Sequence, residues 1–351
     1  MQYAGARVLV TGGLGFIGSN LSIRLVQEGA AVTIVDSQTP GCGGNIFNIQ
    51  PIRERAVLLQ SDISDARQFR KAISSADVIF NLAGEPSSIH SMQLPERDLQ
   101  VNTAAQLRFL LECKAANRGV RVVYTGTRGV YGTPKYLPVD EAHPVRPLDF
   151  NGIHKYTTSM YHVMLSRARQ LDCIVLNLSN VYGPRMALEP ICRDFLSTYV
   201  SRLARGETVE VYGDGRQVRD PLFVDDAVNA LIICGRVQSP PHRVYNVGGS
   251  EALPVTLIAE VASKAAGVTP PLNVPYPADR KWADTGSFRT DNKRIRRELE
   301  WEPHVQFAAG ISATLAYYRE NLTHYADSAA PNSCRLPEHS AAGKRLNPGE
   351  P

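Results

Sequence analysis

Short apolar runs alternate with amphipathic stretches through the first half of the chain. Arg7–Thr11, Ala31–Asp36, Ala56–Leu59, Val78–Leu82, Val120–Thr125 and Cys173–Leu178 are rich in Val, Ile and Leu, and most are apolar at consecutive positions. That pattern predicts strands buried on both faces, since a half-exposed strand alternates apolar with polar residues. Between the first two runs, Ile17, Leu21 and Leu25 recur every four residues and Gly29 follows as a stop, which predicts a helix. Further helices are predicted over Val101–Asn117 and Asn151–Gln170. Strand–helix alternation of this kind predicts an α/β chain with a doubly wound parallel sheet.

The texture changes after Gly183, where ten prolines between Pro184 and Pro277 punctuate shorter elements. A smaller lobe packed over the carboxyl edge of the sheet is expected there. The predicted organisation is a first domain over 1–183, a lobe over 184–325 with elements interleaved into that domain, and a tail over 326–351. The tail holds four prolines, no aromatic residue and balanced charge, too little apolar surface to order itself.

Composition narrows the function more than the fold. Hydrophobic residues make up 43% of the 351 and charged residues 21%, which excludes global disorder. The net charge of +4 is small and scattered, so no nucleic-acid partner is expected. Six cysteines lie far apart without a CxxC pair, so neither a metal site nor a disulfide framework is expected, and a reducing compartment follows. With no leader-like start and no apolar run of about 18 residues, a soluble, cytoplasmic protein without a membrane partner is expected.

The first predicted strand runs into Thr11-Gly12-Gly13-Leu14-Gly15-Phe16-Ile17-Gly18. Glycines that follow a strand and open a helix let the backbone approach a pyrophosphate at the helix N-terminus. Asp36 closes the next strand, where a carboxylate accepts hydrogen bonds from the adenosine ribose and repels a 2′-phosphate. Ser37-Gln38-Thr39 supplies no cation for such a phosphate. The expected cofactor is therefore NAD, held in a Rossmann-like domain. Asp62, after the third strand, reads either as an adenine-side contact or as an ordinary strand-end cap.

Several motifs together resemble the extended short-chain dehydrogenases/reductases, the NAD-dependent epimerase/dehydratase family of nucleotide sugars. They are the Gly12, Gly15, Gly18 loop with Phe16 and Ile17, Asp62-Ile63, Asn81-Leu82-Ala83-Gly84, Val101-Asn102, Thr125–Gly132, Asn180–Arg185 and Gly213–Asp220. The likeness spans about residues 5–322. It implies that Asp62, Ile63, Leu82, Ala83, Gly84 and Asn102 contact NAD, and that Glu85 falls on the substrate side. It also implies that Thr127 hydrogen-bonds the reacting sugar hydroxyl and that Lys155 holds the nicotinamide ribose. Asn180 and Arg219 match positions on the diphosphate of a nucleoside-diphosphate sugar, and Asp284 with Arg280 or Lys281 resembles a clamp on the nucleotide. A guanidinium suits bidentate phosphate binding, although Arg219 also reads as an ion pair with Asp220 or Asp225. Family members commonly pair two long helices, which implies a homodimer through 101–117 and 151–170, where Leu107, Leu110 and Leu111 supply apolar surface or else face the sheet.

One position departs from the family pattern. The usual base is a tyrosine four residues before the lysine, one helical turn away, and here that residue is Asn151. An amide takes no proton at neutral pH. Thr127, Asn151 and Lys155 remain the candidate catalytic positions, with His154, Tyr131 or the Gly84–Met92 loop as alternative bases. Tyr156 lies one residue past Lys155 and points about 100° away from it. The dehydratase Asp-Glu pair after the threonine is replaced by Arg128-Gly129, which disfavours water elimination; Arg128 offers a cation for a sugar carboxylate or a phosphate. The expected function is an NAD-dependent epimerase acting through a transient keto sugar, at C4. A net sugar-nucleotide oxidoreductase and a catalytically silent NAD- and nucleotide-binding protein are the alternatives.

Overall fold

The computed structural model describes residues 3–40, 42–188, 194–277 and 284–326. Arg280, Lys281 and nearly all of the predicted tail lie outside the described residues.

The predicted strands form one parallel sheet: β1 (Arg7–Thr11), β2 (Ala31–Asp36), β3 (Val57–Gln60), β4 (Val78–Asn81), β5 (Arg121–Thr127) and β6 (Asp172–Leu178), joined by β7 (Val244–Val247). Their order is β7-β6-β5-β4-β1-β2-β3, every pair parallel. Consecutive apolar residues follow from this arrangement. Val8, Val10, Ile34, Phe80, Val123 and Ile174 pack into one core layer, while Leu9, Val35, Ile79, Val122 and Cys173 pack into the other. Helices α1 (Phe16–Gln27) and α4 (Val224–Arg236) cover the first layer through Leu21, Leu25 and Leu231. Helices α2 (Ala105–Ala116) and α3 (Phe150–Arg167) cover the second through Phe109, Leu110, Cys113 and Leu165.

Element boundaries differ from the expectations in instructive places. The helix expected over 101–117 is regular only from Ala105, because a π turn over Gln100–Ala104 follows a short helix over Pro95–Leu99. The helix expected to reach Gln170 ends at Arg167, and Arg169 takes a left-handed φ of 54°. Part of the chain beyond Gly183 returns to the sheet as α4 and β7. The remainder forms two-stranded pairs, such as Val218–Arg219 against Leu253–Pro254, and helices over Phe195–Ala204, Val255–Ala266 and Phe307–Asn321.

The order of the sheet reverses direction between β1 and β4, so the chain leaves their carboxyl ends in opposite directions and opens a crevice. Thr11 hydroxyl donates to Asn81 Oδ1 (2.9 Å), Asn81 Nδ2 to Gln106 Oε1 (2.8 Å), and Gln106 Nε2 to the Ala83 carbonyl (2.8 Å). This buried chain of bonds ties the residues after β4 against the glycine loop after β1. The approach is so close that a Cβ on Gly12 would lie 2.8 Å from the Ala83 nitrogen, at a left-handed φ of 68°. A Cβ on Gly18 would lie 2.2 Å from the Gly12 carbonyl oxygen. Gly12→Ala is expected to cost about 1–3 kcal/mol of stability through backbone strain alone. Thermal unfolding and isothermal titration should show a lowered Tm and at least about tenfold weaker NAD binding.

Candidate active site

The cofactor side of the crevice begins at α1. No side chain caps its first amides, and no carboxylate sits in its first turn. An uncapped N-terminus behind a glycine cradle leaves backbone donors and the positive end of the helix dipole for a pyrophosphate. Phe16 and Ile17 begin this helix, with Gly15 as its N-cap. Asp36 reaches the same loop, accepting hydrogen bonds from the Leu14 amide (3.0 Å) and the Gln38 amide (2.9 Å); burial raises its pKa. Asp62 accepts the Ser64 amide (2.7 Å) as a strand-end cap, with Ile63 buried beside it. Leu82, Ala83 and Gly84 line the opposite wall. The residues present therefore fit a dinucleotide along β1, α1 and the β4 loop.

The deeper end is organised by Asp98, which the sequence reading did not single out. It is 2% exposed. Its carboxylate accepts Asn102 Nδ2 (3.0 Å) and Asn151 Nδ2 (3.0 Å), and lies 2.7 Å from His154 Nδ1. Asn151 also donates to the Glu85 carbonyl (2.7 Å), and its backbone amide donates to Ser91 Oγ (3.1 Å). Asn102 closes the same knot by exchanging hydrogen bonds with the Glu85 backbone. Both amide hydrogens of Asn151 are thus spent in a buried network that fastens α3 to the loop after β4. The Glu85 carboxylate is held by Arg97 (2.7 Å) and approached by His90 (3.5 Å) and Cys42 (3.5 Å).

Lys155 is different. It is 9% exposed, and its ammonium makes no hydrogen bond or ion pair among the described residues. It lies against the cofactor wall: a Cβ on Gly84 would be 3.2 Å from Lys155 Nζ. Burial pushes its pKa down to about 8, and the charges of Asp98 and Glu85 oppose the shift. Thr127 ends β5 and accepts the Gly129 amide (3.1 Å), leaving its hydroxyl proton for a ligand. Tyr131 donates to Asn246 (2.7 Å) and accepts from Asn177 (3.3 Å), and burial pushes its pKa up to about 12. Tyr156 packs against the small apolar cluster of Val130, Tyr131, Val139 and Phe288.

A second group of residues faces the lobe. Arg128 Nε donates to Asn180 Oδ1 (3.0 Å), and Asn180 Nδ2 donates to Asp194 (3.1 Å). Arg219 is buried and held by the Val218 carbonyl (2.9 Å), the Gly286 carbonyl (2.5 Å) and Gln217 Oε1 (3.0 Å). Its ion pair with Asp220 or Asp225 is not made, because Asp220 instead accepts Ser179 Oγ and the Thr290 amide. Burial, then the neighbouring Arg128 charge, lowers the Arg219 pKa to about 10, while Asp284 and Asp220 oppose it. Asp284 accepts the Gly286 amide (2.9 Å). Arg128, Asn180, Arg219 and Asp284 therefore form one cationic cluster, while Thr127, Lys155 and the cofactor wall form the other half of the site.

Residues 8–248 match a model of the NAD dependent epimerase/dehydratase family. The chain is 33% identical over 317 residues to UDP-glucose 4-epimerase of Mycolicibacterium smegmatis, covering 89% of this chain and 98% of that protein. Among solved structures, UDP-glucose 4-epimerase of Thermotoga maritima with UDP-glucose is 29% identical at a TM-score of 0.80, covering 90% and 99% of the two chains. A dTDP-glucose 4,6-dehydratase of Streptomyces venezuelae with NAD bound is 27% identical at a TM-score of 0.79, covering 90% and 98%.

A lysine buried without a partner costs stability while it is charged. Its folded pKa lies below its ordinary value of 10.5, so the cost is fully present below about pH 8 and fades as pH rises toward 10.5. Lys155→Met should raise the Tm of the cofactor-free protein at pH 7, and the gain should shrink by pH 10. Thermal melts across that range check the sign.

Proposed function

The chain belongs to the NAD dependent epimerase/dehydratase family, and from that premise we propose that it epimerises a nucleoside-diphosphate sugar at C4 through a transient keto sugar. NAD is the cofactor; held by the Gly12–Gly18 loop, Asp36 and the β4 loop, it would supply a reversible hydride acceptor for the sugar carbon. The observation that carries the reading is the pairing of an NAD-fitting crevice with a cationic cluster in which Arg219 lacks a carboxylate partner among the described residues. A diphosphate supplies the missing anion. UDP-glucose 4-epimerases among the relatives support C4, and the absence of an acid–base pair at 128–129 speaks against water elimination.

The protein's own groups divide the work. The Gly12–Gly18 loop and the start of α1 hold the pyrophosphate, and Asp36 the adenosine ribose. Thr127 donates to the reacting oxygen. The proton of that hydroxyl goes to Lys155 Nζ, which enters as a neutral amine, leaves as ammonium, and returns the proton when the hydroxyl re-forms. Asn151 has no proton-accepting chemistry, Tyr131 is held protonated in its network, and His154 is engaged by Asp98. A homodimer is part of the same proposal, supported by Phe150, Ile153, Met160 and Met164 exposed along α3 beside Leu111 on α2. Leu110 faces the sheet instead.

Incubation with UDP-, GDP-, CDP- and dTDP-sugars should invert C4 in at least one of them without net NADH, and no change in any sugar at high enzyme would overturn the reading. kcat/KM should rise with pH along a limb at or below about pH 8, set by Lys155. Lys155→Met should abolish that turnover, while His154→Gln should leave the limb in place. Asn151→Tyr should slow the wild-type reaction, because a phenol at residue 151 breaks the two hydrogen bonds that its amide makes.

A further inference from the structure

The cationic cluster contains one guanidinium more than its anchoring uses. Arg219 is fixed by three acceptors, the Val218 carbonyl and Gln217 Oε1 just before it in the chain and the Gly286 carbonyl from another loop. Arg128 is held only through Nε, by Asn180, and both of its terminal nitrogens lack a hydrogen bond or ion pair among the described residues. Its guanidinium lies 4.8 Å from the centroid of the Phe288 ring, which fixes the plane of the fork by cation–π contact. Asp149, Asp194 and Asp220 bias its charge from a distance, and none comes within ion-pair range. A half-buried fork with open, coplanar donors is a receptor for a two-oxygen anion. Its place in the chain says where that anion sits: Arg128 directly follows Thr127, in the turn that Thr127 caps.

Resting on the nucleotide-sugar reading above, we propose that Arg128 is a specificity residue whose fork receives a carboxylate carried by the sugar, so that the preferred substrate is a uronate-type nucleotide sugar. The same anionic oxygens could come from the diphosphate, and the two sources differ in which ligands feel the loss of Arg128. Arg219 and Arg128 are close enough for their charges to oppose one another. An anion on each relieves that repulsion, whereas a neutral hexose leaves the Arg128 guanidinium without a counter-charge.

The test is isothermal titration of the NAD-loaded protein with UDP, UDP-glucose and UDP-glucuronate, repeated with the dTDP series. Wild type should bind the glucuronate at least about tenfold more tightly than the glucose compound. Arg128→Met, which keeps an apolar stem on Phe288, should erase that preference while leaving affinity for UDP within about twofold. Arg128→Lys, retaining charge without the fork, should recover only part of it. Equal weakening of all three ligands in Arg128→Met would assign the residue to the diphosphate and overturn the proposal, as would a wild type without preference. Failure of every nucleotide to bind, with NAD still bound, would instead overturn the nucleotide-sugar reading itself.

Discussion

A buried carboxylate that must be satisfied governs the active-site end of this molecule. Asp98 draws in Asn102, Asn151 and His154 from two other elements, and a buried acceptor of that kind costs several kcal/mol when a partner is removed. Meeting its demand fixes the entry of α3 against the loop after β4. It also decides which way the amide at residue 151 turns. The Asn151 amide is committed to Asp98 and the Glu85 carbonyl, so Lys155, one turn along the helix, receives no phenol partner. The network thus supplies rigidity at residue 151, and the lysine one turn along stays buried without a hydrogen bond or ion pair among the described residues.

That arrangement places opposite electrostatic demands on the two halves of the crevice. Around Lys155 the surroundings disfavour a positive charge, because burial outweighs the attraction of Asp98 and Glu85. Around Arg128 and Arg219 two guanidinium groups lie close enough for each charge to oppose the other, and an anion between them relieves that opposition. A ligand with an anionic end and a hydroxyl-bearing end satisfies both at once. The parallel sheet makes this possible by delivering Thr127, the glycine loop and the β4 loop to one edge, at the carboxyl ends of β5, β1 and β4.

Much of the frame is legible in the sequence because it is local. Consecutive apolar residues in Arg7–Thr11 and Ala31–Asp36 reflect helices on both faces of the sheet, and those two strands fall where the pattern puts them. Gly12 and Gly18 are readable because their constraint, a backbone too close for a Cβ, lies within a short motif. Asp98 is not, since its partners come from residues 102, 151 and 154 and nothing in its own neighbourhood marks it. Strand β7 is short, carries Asn246 at its centre and follows a proline-rich stretch, so its place beside β6 comes only from tertiary pairing. The freedom of the Arg128 fork likewise depends on where Asp194 and Asp220 point, which no spacing encodes.

On the proposed mechanism Lys155 is a buried amine that exchanges a proton with the substrate hydroxyl. Its own titration tests this directly, by NMR of isotopically labelled lysine in the cofactor-free protein, with Lys155→Arg to assign the resonance. Lys155 should titrate at about 8, well separated from the surface lysines. A value at the ordinary 10.5 would contradict it, and would leave Lys155 as a permanent cation that binds ribose while another group moves the proton.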